Sequence, residues 1–477
     1  MYINYIKMPV PKEILAVERP KNTIVKKSGE HWLVIKRTCR RVNGRNLPVN
    51  LGTIGEIVNG AYVEKRKEPR KKRIDIKDFG EVALCDMFGR DLVQDLSDVW
   101  DTKDGIRLYV MALLRAAYGD IKNRDLQTQY ETSFASEMYP GVHLSENTVG
   151  EFLEKIGRAY SLIVEFMRGR VQKFLGKRIA IDGMLKDYNS TQSTLSEFSR
   201  KGAKKGSKDI SLMYAYDLET KEPVAAKPYA GNMLDQTSIH DFIREYAVND
   251  ALMVFDKGFY TNGLVESVMN EKGLSYLVPL KSDSKIIANY GMDNPTEPLS
   301  GYTDGTILCK TCRMKNGDYL YSFRDPWITA EQDVCYIKKN LKKKAFDGGR
   351  YADKRNMFGV VVFRSKTKMT PLTAYEAYAQ RWEIETLFNL YKNIVDRGEV
   401  NVHGDYRLYG TELVNFLTTI IASRVKSHIV RKGLNRDYSY KQIFNYLSKY
   451  KKVRTSEKWE TPTMLKYISQ MIENLGI

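Results

Sequence analysis

Two short apolar segments that each end in an aspartate limit what this chain can fold into. They are Arg178–Asp182 and Ala251–Asp256. Runs this short and this apolar, bounded by polar residues, are typical of strands buried in a sheet. The hydrophobic periodicity of the segments around them is in turn that of a strand and that of a helix. Segments 210–216, 223–228 and 275–279 are strand-like, and 235–246 and 262–271 are helical. This alternation predicts a layered α/β domain around a buried sheet.

The pattern changes on both sides of this domain. Trp32–Val42 is rich in strand-forming residues and is followed by Asn43-Gly44, a dipeptide typical of a hairpin turn. From about residue 76 the periodicity is helical. Ser145 precedes a helix whose apolar residues, beginning at Val149, lie on one face. These helices could form a helix-turn-helix that enters a DNA groove, or they could simply pack against each other.

A second change occurs after residue 283. Asp304-Gly305 and Asn316-Gly317 indicate tight turns between apolar runs, and Thr370-Pro371 supplies the cap and the first turn of a long helix. The chain is therefore divided as follows: 1–75, an N-terminal β-containing region with a basic arm; 76–176, α-helical; 177–282, the first part of the α/β core; 283–355, a β-rich insertion; 356–400, the second part of the core; and 401–477, a helical, basic C-terminal tail.

The charge of the chain indicates its partner. Lys and Arg number 76 against 58 Asp and Glu, a net charge of +18. An excess of this size favours a polyanion such as nucleic acid, although a basic solvated surface is the alternative. The basic arm after Lys65 is open to the same two interpretations. The sequence has no run of eighteen apolar residues, so no membrane span is predicted. The 5 scattered cysteines suit a reducing cytoplasm.

Asp182 and Asp256 stand at the ends of their strands. If the two strands are neighbours, the carboxylates meet, and their repulsion is relieved by a shared cation. An aspartate that only forms a turn at the end of a strand is the alternative for each.

The helix after Pro371 adds a third acid. At about 100° per residue, Tyr378, Arg381, Glu385 and Lys392 fall within roughly 60° of one another on an α-helix. The alternative is a solvated face with an ordinary Arg381–Glu385 ion pair. That alternative leaves the Tyr and the Lys on the same stripe unexplained.

The spacing Tyr, two residues, Arg, three residues, Glu, six residues, Lys resembles the signature of DDE transposases of the insertion-sequence-four family. Asp182-Gly183 resembles the first catalytic aspartate motif of that family, and Asp256-Lys257-Gly258-Phe259-Tyr260 resembles the second. Gly231-Asn232 with Asp235 resembles the stretch between them. The long separation between Asp256 and Glu385 resembles the β-strand insertion of the family. The likeness covers residues from about 140 to 400.

The resemblance implies a ribonuclease-H-like catalytic core in which Asp182, Asp256 and Glu385 bind two Mg²⁺ or Mn²⁺ ions. It also implies that Tyr378, Arg381 and Lys392 contact DNA phosphates. The implied activity is cleavage of double-stranded DNA at the ends of a mobile element and strand transfer into target DNA, by a homodimer on paired ends. The implied location is the cytoplasm, on the nucleoid.

Two alternatives to a transposase remain open. One is a nuclease that cuts without joining, and the other is a DNA-binding repressor that has lost catalysis. The retention of all three acids disfavours the repressor. Within the insertion, Trp327 beside Arg324 is either a platform for an extruded base or a buried aromatic of a small β unit.

Overall fold

The computed structural model describes residues 10–42, 45–65, 74–119, 121–199, 206–233, 235–255, 269–270, 272–303, 306–395, 402–455 and 457–477. The chain divides into two units, Met1–Asp75 and Ile76–Ile477. Each unit has an apolar core of its own.

The first unit is an antiparallel meander preceded by a short helix, α1 (Lys12–Leu15). Its strands, in spatial order, are β1 (Thr23–Ser28), β2 (His31–Val42), β3 (Arg45–Val58) and β4 (Ala61–Glu64). Val25, Val34 and Ile57 form its core. The predicted strand at Trp32–Val42 is present, and Val42 pairs with Arg45. The predicted turn residues 43–44, and the basic arm from 66 to 73, lie outside the described residues.

The second unit begins within β5 (Asp75–Asp78) and continues with a run of helices. The helices are α2 (Gly80–Gly89), α3 (Asp91–Ser97), α4 (Thr102–Tyr118), α5 (Leu126–Thr132), α6 (Ala135–Met138), α7 (Glu146–Arg158) and α8 (Tyr160–Lys173), with a 3₁₀ turn at Asn123–Asp125. Ser145 stands at the N-cap of α7 as predicted, and the predicted apolar face from Val149 to Ile156 is buried. That face packs against a helix of the C-terminal region, so helix packing accounts for it.

A nine-stranded mixed sheet forms the centre of this unit. Its strands are β6 (Arg178–Asp187), β7 (Asp209–Asp217), β8 (Glu222–Ala230), β9 (Leu252–Val254), β10 (Ser275–Pro279), β11 (Glu297–Pro298), β12 (Leu308–Arg313), β13 (Tyr319–Arg324) and β14 (Val360–Ser365), in the order β11-β12-β13-β14-β10-β9-β6-β7-β8. The pairs β6–β9 and β9–β10 are parallel, whereas β6–β7 and β10–β14 are antiparallel. The predicted α/β class is thus confirmed.

Helices flank this sheet along the chain. They are α9 (Asp235–Glu245), α10 (Lys285–Asn289), α11 (Pro326–Lys342), α12 (Gly348–Arg355), α13 (Pro371–Gln380) and α14 (Trp382–Leu390), with a π-helical turn at Tyr391–Val395. The predicted helix at 235–246 is therefore present. Most of the one predicted at 262–271 lies outside the described residues.

The segment predicted as a β-rich insertion differs from that prediction in its second half. Residues 308–324 form a hairpin that extends the central sheet, but 326–355 form α11 and α12. The sequence contains the signal for this helix at Asp325-Pro326. The Asp325 carboxylate accepts hydrogen bonds from the backbone N–H groups of Trp327 (2.8 Å) and Ile328 (3.1 Å), and Pro326 fits the first turn.

The C-terminal region is likewise not a tail. After α14 come α15 (Asp405–Arg431), α16 (Tyr440–Leu447) and α17 (Lys466–Leu475), with a 3₁₀ turn at Leu434–Arg436 and the short strands β15 (Lys451–Arg454) and β16 (Trp459–Glu460), which form a small sheet with β5. Most of α15 is buried, and it packs against α4, α7 and β8. The last turns of α15 are basic, which favoured the prediction of a basic tail, whereas most of the helix is buried.

No helix within the described ranges combines the length and the apolar character needed to cross a bilayer.

Candidate active site

The prediction that Asp182 ends its strand is wrong, because β6 continues to Asp187 and Asp182 lies in its middle. Antiparallel pairing sets Asp182 opposite Tyr214 of β7. Directly opposed residues of two strands project from the same face of the sheet. Asp182 is half-buried, and its carboxylate accepts a hydrogen bond of 2.8 Å from the backbone N–H of Gly183. The surroundings of Tyr214 therefore identify what covers the Asp182 face.

The ring of Tyr214 packs against the helices after residue 381. Its centroid lies 6.1 Å from the ring centroid of Phe388 in α14, and 6.1 Å from those of Tyr391 and Phe416. The backbone of α14 also contacts β6. The helix that follows the second part of the core thus lies over the sheet face that bears Asp182.

Glu385 belongs to this same helix. It precedes Phe388 by three residues, so the two side chains are neighbours on the helix surface. The Glu385 side chain is 42% exposed, and its Oε1 lies 3.4 Å from Nη2 of Arg381. Asp182 and Glu385 therefore share one side of the sheet, and both keep part of their surface open to solvent.

Arg381 is the buried member of the group, at 5% exposure. Its guanidinium lies over the rings of Tyr378 (5.4 Å) and Trp382 (5.5 Å), while the Tyr378 ring rests on Phe363 at 4.3 Å. Aromatic contacts of this kind hold the planar guanidinium in one orientation. In this arrangement the Arg381 guanidinium is held beside the Glu385 carboxylate.

The four signature residues do not lie on one unbroken α-helix. The N–H groups of Arg381 and Ile384 donate to the carbonyl oxygens three residues earlier, at 3.0 Å, which tightens the helix at the α13–α14 junction. Beyond α14 the chain widens into the π-helical turn, which contains Lys392. Lys392 is exposed. The angles derived for a uniform helix therefore do not describe the position of Lys392 relative to Glu385.

The second aspartate of the sequence prediction, Asp256, lies outside the described residues, as do 257–260 of its motif. The strand that leads to it is described: β9 ends at Val254, which pairs with Ala180 of β6 in parallel register. Phe255 is 1% exposed, and its N–H donates to Leu277 O at 3.2 Å. Among the described residues no three His, Cys, Asp or Glu side chains group as metal ligands. Asp256 is not among the described residues, so this search did not include it.

Trp327 differs from the expectation of a buried aromatic. It lies in the first turn of α11 and is 78% exposed. The interpretation as a platform for a base remains a prediction.

Sequence reasoning missed a buried polar network beside this site. Lys186, which follows Asp182 on the same face of β6, donates to Glu412 Oε1 at 2.9 Å and to the Tyr391 hydroxyl at 3.1 Å. The Tyr391 hydroxyl donates to Glu412 Oε2 at 2.7 Å, and Asn415 connects the group to Arg115 of α4 at 2.7 Å. The one signal in the sequence is a lysine that follows the apolar pair Met184-Leu185. Its partner lies too far along the chain to be identified.

Comparisons with known proteins give matches to one family model and to solved structures. The family model described as the transposase DDE domain matches residues 174–408. The structure of the piggyBac transposase in a synaptic complex with hairpin DNA is similar at a TM-score of 0.40 with 12% identity, over 83% of this chain and 85% of that one. The Mos1 transposase in a paired-end complex with the left transposon end matches at a TM-score of 0.15 with 12% identity, over 45% of this chain and 61% of that one. No curated protein matches the chain.

The matched segment begins just before β6 and ends within the first turn of α15, so it includes Asp182, Asp256 and Glu385. Residues 174–408 therefore carry the sequence pattern of a transposase DDE domain.

Proposed function

We propose that this chain is a DNA transposase whose ribonuclease-H-like core cuts the ends of a mobile element and joins them to target DNA. The observation that carries the proposal is that β6 presents Asp182 on the sheet face covered by the helix that bears Glu385. The match of residues 174–408 to the transposase DDE domain supports the same conclusion.

The register of the parallel strands supports Asp256 as the second aspartate of the site. Ala180 pairs with Val254, and in the sequence Asp182 and Asp256 each follow two residues after that pair. Since alternate residues of a strand share a face, continued pairing would set the two aspartates side by side on the face with α14.

The donor set suits Mg²⁺ or Mn²⁺, which prefer carboxylate oxygens, and Asp182, Asp256 and Glu385 would hold two such ions. When bound, the pair of ions supplies Lewis-acid activation of the attacking oxygen and stabilisation of the leaving oxygen. The long 3.4 Å contact to Arg381 leaves the half-exposed Glu385 carboxylate able to take a cation.

The neighbouring side chains have separate roles in this proposal. Arg381, buried between Tyr378 and Trp382, holds Glu385 in position. The exposed Lys392 is free to contact a phosphate as a point charge. Direct contacts of Tyr378 and Arg381 with phosphates, a homodimer on paired ends, and a location on the nucleoid stay predictions.

The third acid can be tested by Glu385→Gln, with Glu376→Gln as its control. Glu376 is an exposed glutamate of α13 outside the site. We expect Glu385→Gln to keep the DNA affinity of the wild type and to lose cutting in Mg²⁺ and in Mn²⁺, while Glu376→Gln retains both. The measurement is cleavage of duplexes that carry the terminal repeats flanking the gene. Normal cutting by Glu385→Gln would refute its role.

A second assay separates a transposase from a nuclease. Pre-cut element ends are incubated with the protein, divalent ions and a circular plasmid. A transposase joins these ends to the plasmid, and a nuclease leaves them unjoined. A repressor would bind the ends in both assays and cut in neither.

A further inference from the structure

A cleft of about 650 Å³ lies between α14, the last turns of α15 and the turn that joins β7 to β8. Glu383 and Thr386 contribute to it from α14, and Lys221 contributes from the β-turn. Glu383 points about 160° away from Glu385 around the helix. The cleft is thus separate from the proposed metal site and about one helix diameter, roughly 10 Å, from it.

The carboxylates of the cleft are already engaged. Glu383 pairs with Lys221 at 2.8 Å, Glu222 with Arg424 at 2.9 Å, and Glu219 with Lys177 at 3.1 Å. These pairs leave two cations of the lining, Lys426 and Arg431, with no hydrogen bond or ion pair to any described residue.

Lys426 is the more informative of the two because it is half-buried. Burial lowers the pKa of Lys426, an effect that Glu383 opposes and Lys221 reinforces. An ammonium group held out of water without a counterion lowers stability. The hydroxyl groups of Ser423 and Ser427 beside it likewise have no partner among the described side chains. The cleft therefore offers two cations and two hydroxyl donors to an anion.

We propose that this cleft binds a phosphate group of the DNA backbone, with Lys426 and Arg431 as its cationic ligands. The inference rests on the proposed function, which supplies the DNA. The position fits a strand that passes the proposed metal site. A phosphate bound in the cleft would lie within a few nucleotides of the cut. Arg431 can form a forked pair with phosphate oxygens, and Lys426 acts as a point charge.

The first test is the salt dependence of DNA binding. Duplex affinity is measured from low to high salt for the wild type, Lys426→Met and Arg431→Gln, with Lys441→Gln as the control. Lys441 is exposed on α16 and lies outside the cleft. Each phosphate contact contributes about 0.9 to the slope of log affinity against log salt. We expect each cleft variant to reduce the slope by about that amount, and the control to leave it unchanged.

The second test uses the opposite effects that Lys426→Met should have on DNA affinity and on the stability of the free protein. Lys426→Met removes a desolvated charge, so the free protein should have a higher Tm than the wild type, although it binds DNA less tightly. A lysine that only supports the fold would lower the Tm when replaced. Arg431→Gln changes an exposed side chain and should leave the Tm near that of the wild type.

Three results would overturn the inference. Wild-type slopes in both cleft variants would remove the cleft from DNA binding and leave the proposed function intact. A wild type that binds no duplex at any salt would overturn the proposed function and this inference together. If inorganic phosphate raises the Tm of the wild type but not of Lys426→Met, while the DNA slopes do not differ, the ligand is free phosphate and not DNA.

Discussion

At the scale of single residues, Glu81 of the helical region is a buried carboxyl group with a shifted pKa. It lies in the first turn of α2 at 5% exposure, and its Oε2 has no hydrogen-bond partner. Burial raises its pKa from 4.5 to about 7, helped by Asp78 and opposed by a backbone hydrogen bond and by Lys451 and Lys449. The fold therefore favours the protonated carboxyl at this position.

The raised pKa predicts how stability changes with pH. Below pH 4.5 the carboxyl is protonated in both the folded and the unfolded chain, so Glu81 has no effect on the pH dependence. As the pH rises through about 7, the unfolded chain ionises first and the free energy of unfolding falls, by a few kcal/mol at most. We expect Glu81→Gln to remove this fall and to stabilise the protein at pH 8. Urea unfolding at pH 5 and pH 8 measures the free energy of unfolding of both proteins, and a fall in the variant as large as that of the wild type would contradict the assignment.

At the scale of elements, the contact between α7 and α15 is set by two glycines. A Cβ built on Gly157 would lie 1.8 Å from Tyr406 O, and one on Gly410 would lie 2.2 Å from Leu153 O. Backbone atoms cannot move aside as a flexible side chain can. The helices therefore approach as closely as they do only because neither position has a side chain.

Gly150 provides the matched control for this contact, since it lies in α7 with nothing within 4 Å of its built Cβ. We expect Gly157→Ala to destabilise the protein by about 1–3 kcal/mol, the usual range for overpacking. Gly150→Ala should be neutral or stabilising by up to about 1 kcal/mol, because alanine favours helix. Unfolding by urea compares them. Equal effects of the two substitutions would show that α7 and α15 are not packed this closely.

The polar network joins β6, the π-helical turn and α15 through Lys186 and Glu412, which are 2% and 6% exposed. Replacing Lys186 by Met leaves a buried carboxylate without its cation, so we expect a loss of about 3–5 kcal/mol. The double variant Lys186→Met/Glu412→Met removes both charges and should recover much of that loss. The comparison is a double-mutant cycle measured by urea unfolding. Additive losses would show that the two side chains are not coupled.

The elements that the sequence predicts are those whose pattern is local. The cap of α13 at Thr370, the start of α7 after Ser145 and the apolar strand that carries Asp182 all follow from neighbouring residues. The position of α15 in the fold does not follow from neighbouring residues. Asn415 and Thr418 are fully buried there, because Arg115 of α4 donates to Asn415 and the Thr418 hydroxyl donates to the carbonyl of Val414.

The candidate site divides in the same way. The spacing on the helix after Pro371 and the two aspartates that follow short apolar runs identify the candidate ligands from sequence. The tightened turn at Arg381 and the π-helical turn at Lys392 depend on how the helix meets β6 and α15, and no local pattern encodes that. The partner of Lys186 is hidden for the same reason, since Glu412 is brought to it by the fold.

At the scale of the whole molecule, the positive charge is concentrated at one end of the chain. Residues 1–75 contain 18 Lys and Arg against 7 Asp and Glu, so this segment carries +11 of the net charge of +18. It coincides with the first of the two units, whose core of Val25, Val34 and Ile57 belongs to the meander itself. The unit formed by 76–477 has its own, much larger core. Most of the net charge therefore belongs to the first unit, and the proposed catalytic residues belong to the second.

This separation predicts what deletion of residues 1–75 does. Because the central sheet and its helices have their own core, we expect the shortened chain to stay folded, with a thermal unfolding transition close to that of the intact protein. Counterion release from DNA scales with the number of phosphates neutralised. The shortened chain should therefore bind a duplex less tightly than the intact protein, and its affinity should decrease less steeply as the salt concentration rises. Cutting of a duplex at saturating protein should persist, since Asp182, Asp256 and Glu385 are retained. Circular dichroism, binding from low to high salt and cleavage in Mg²⁺ measure these effects. A shortened chain that is folded and binds with the full salt dependence would place the DNA-binding charge in the second unit.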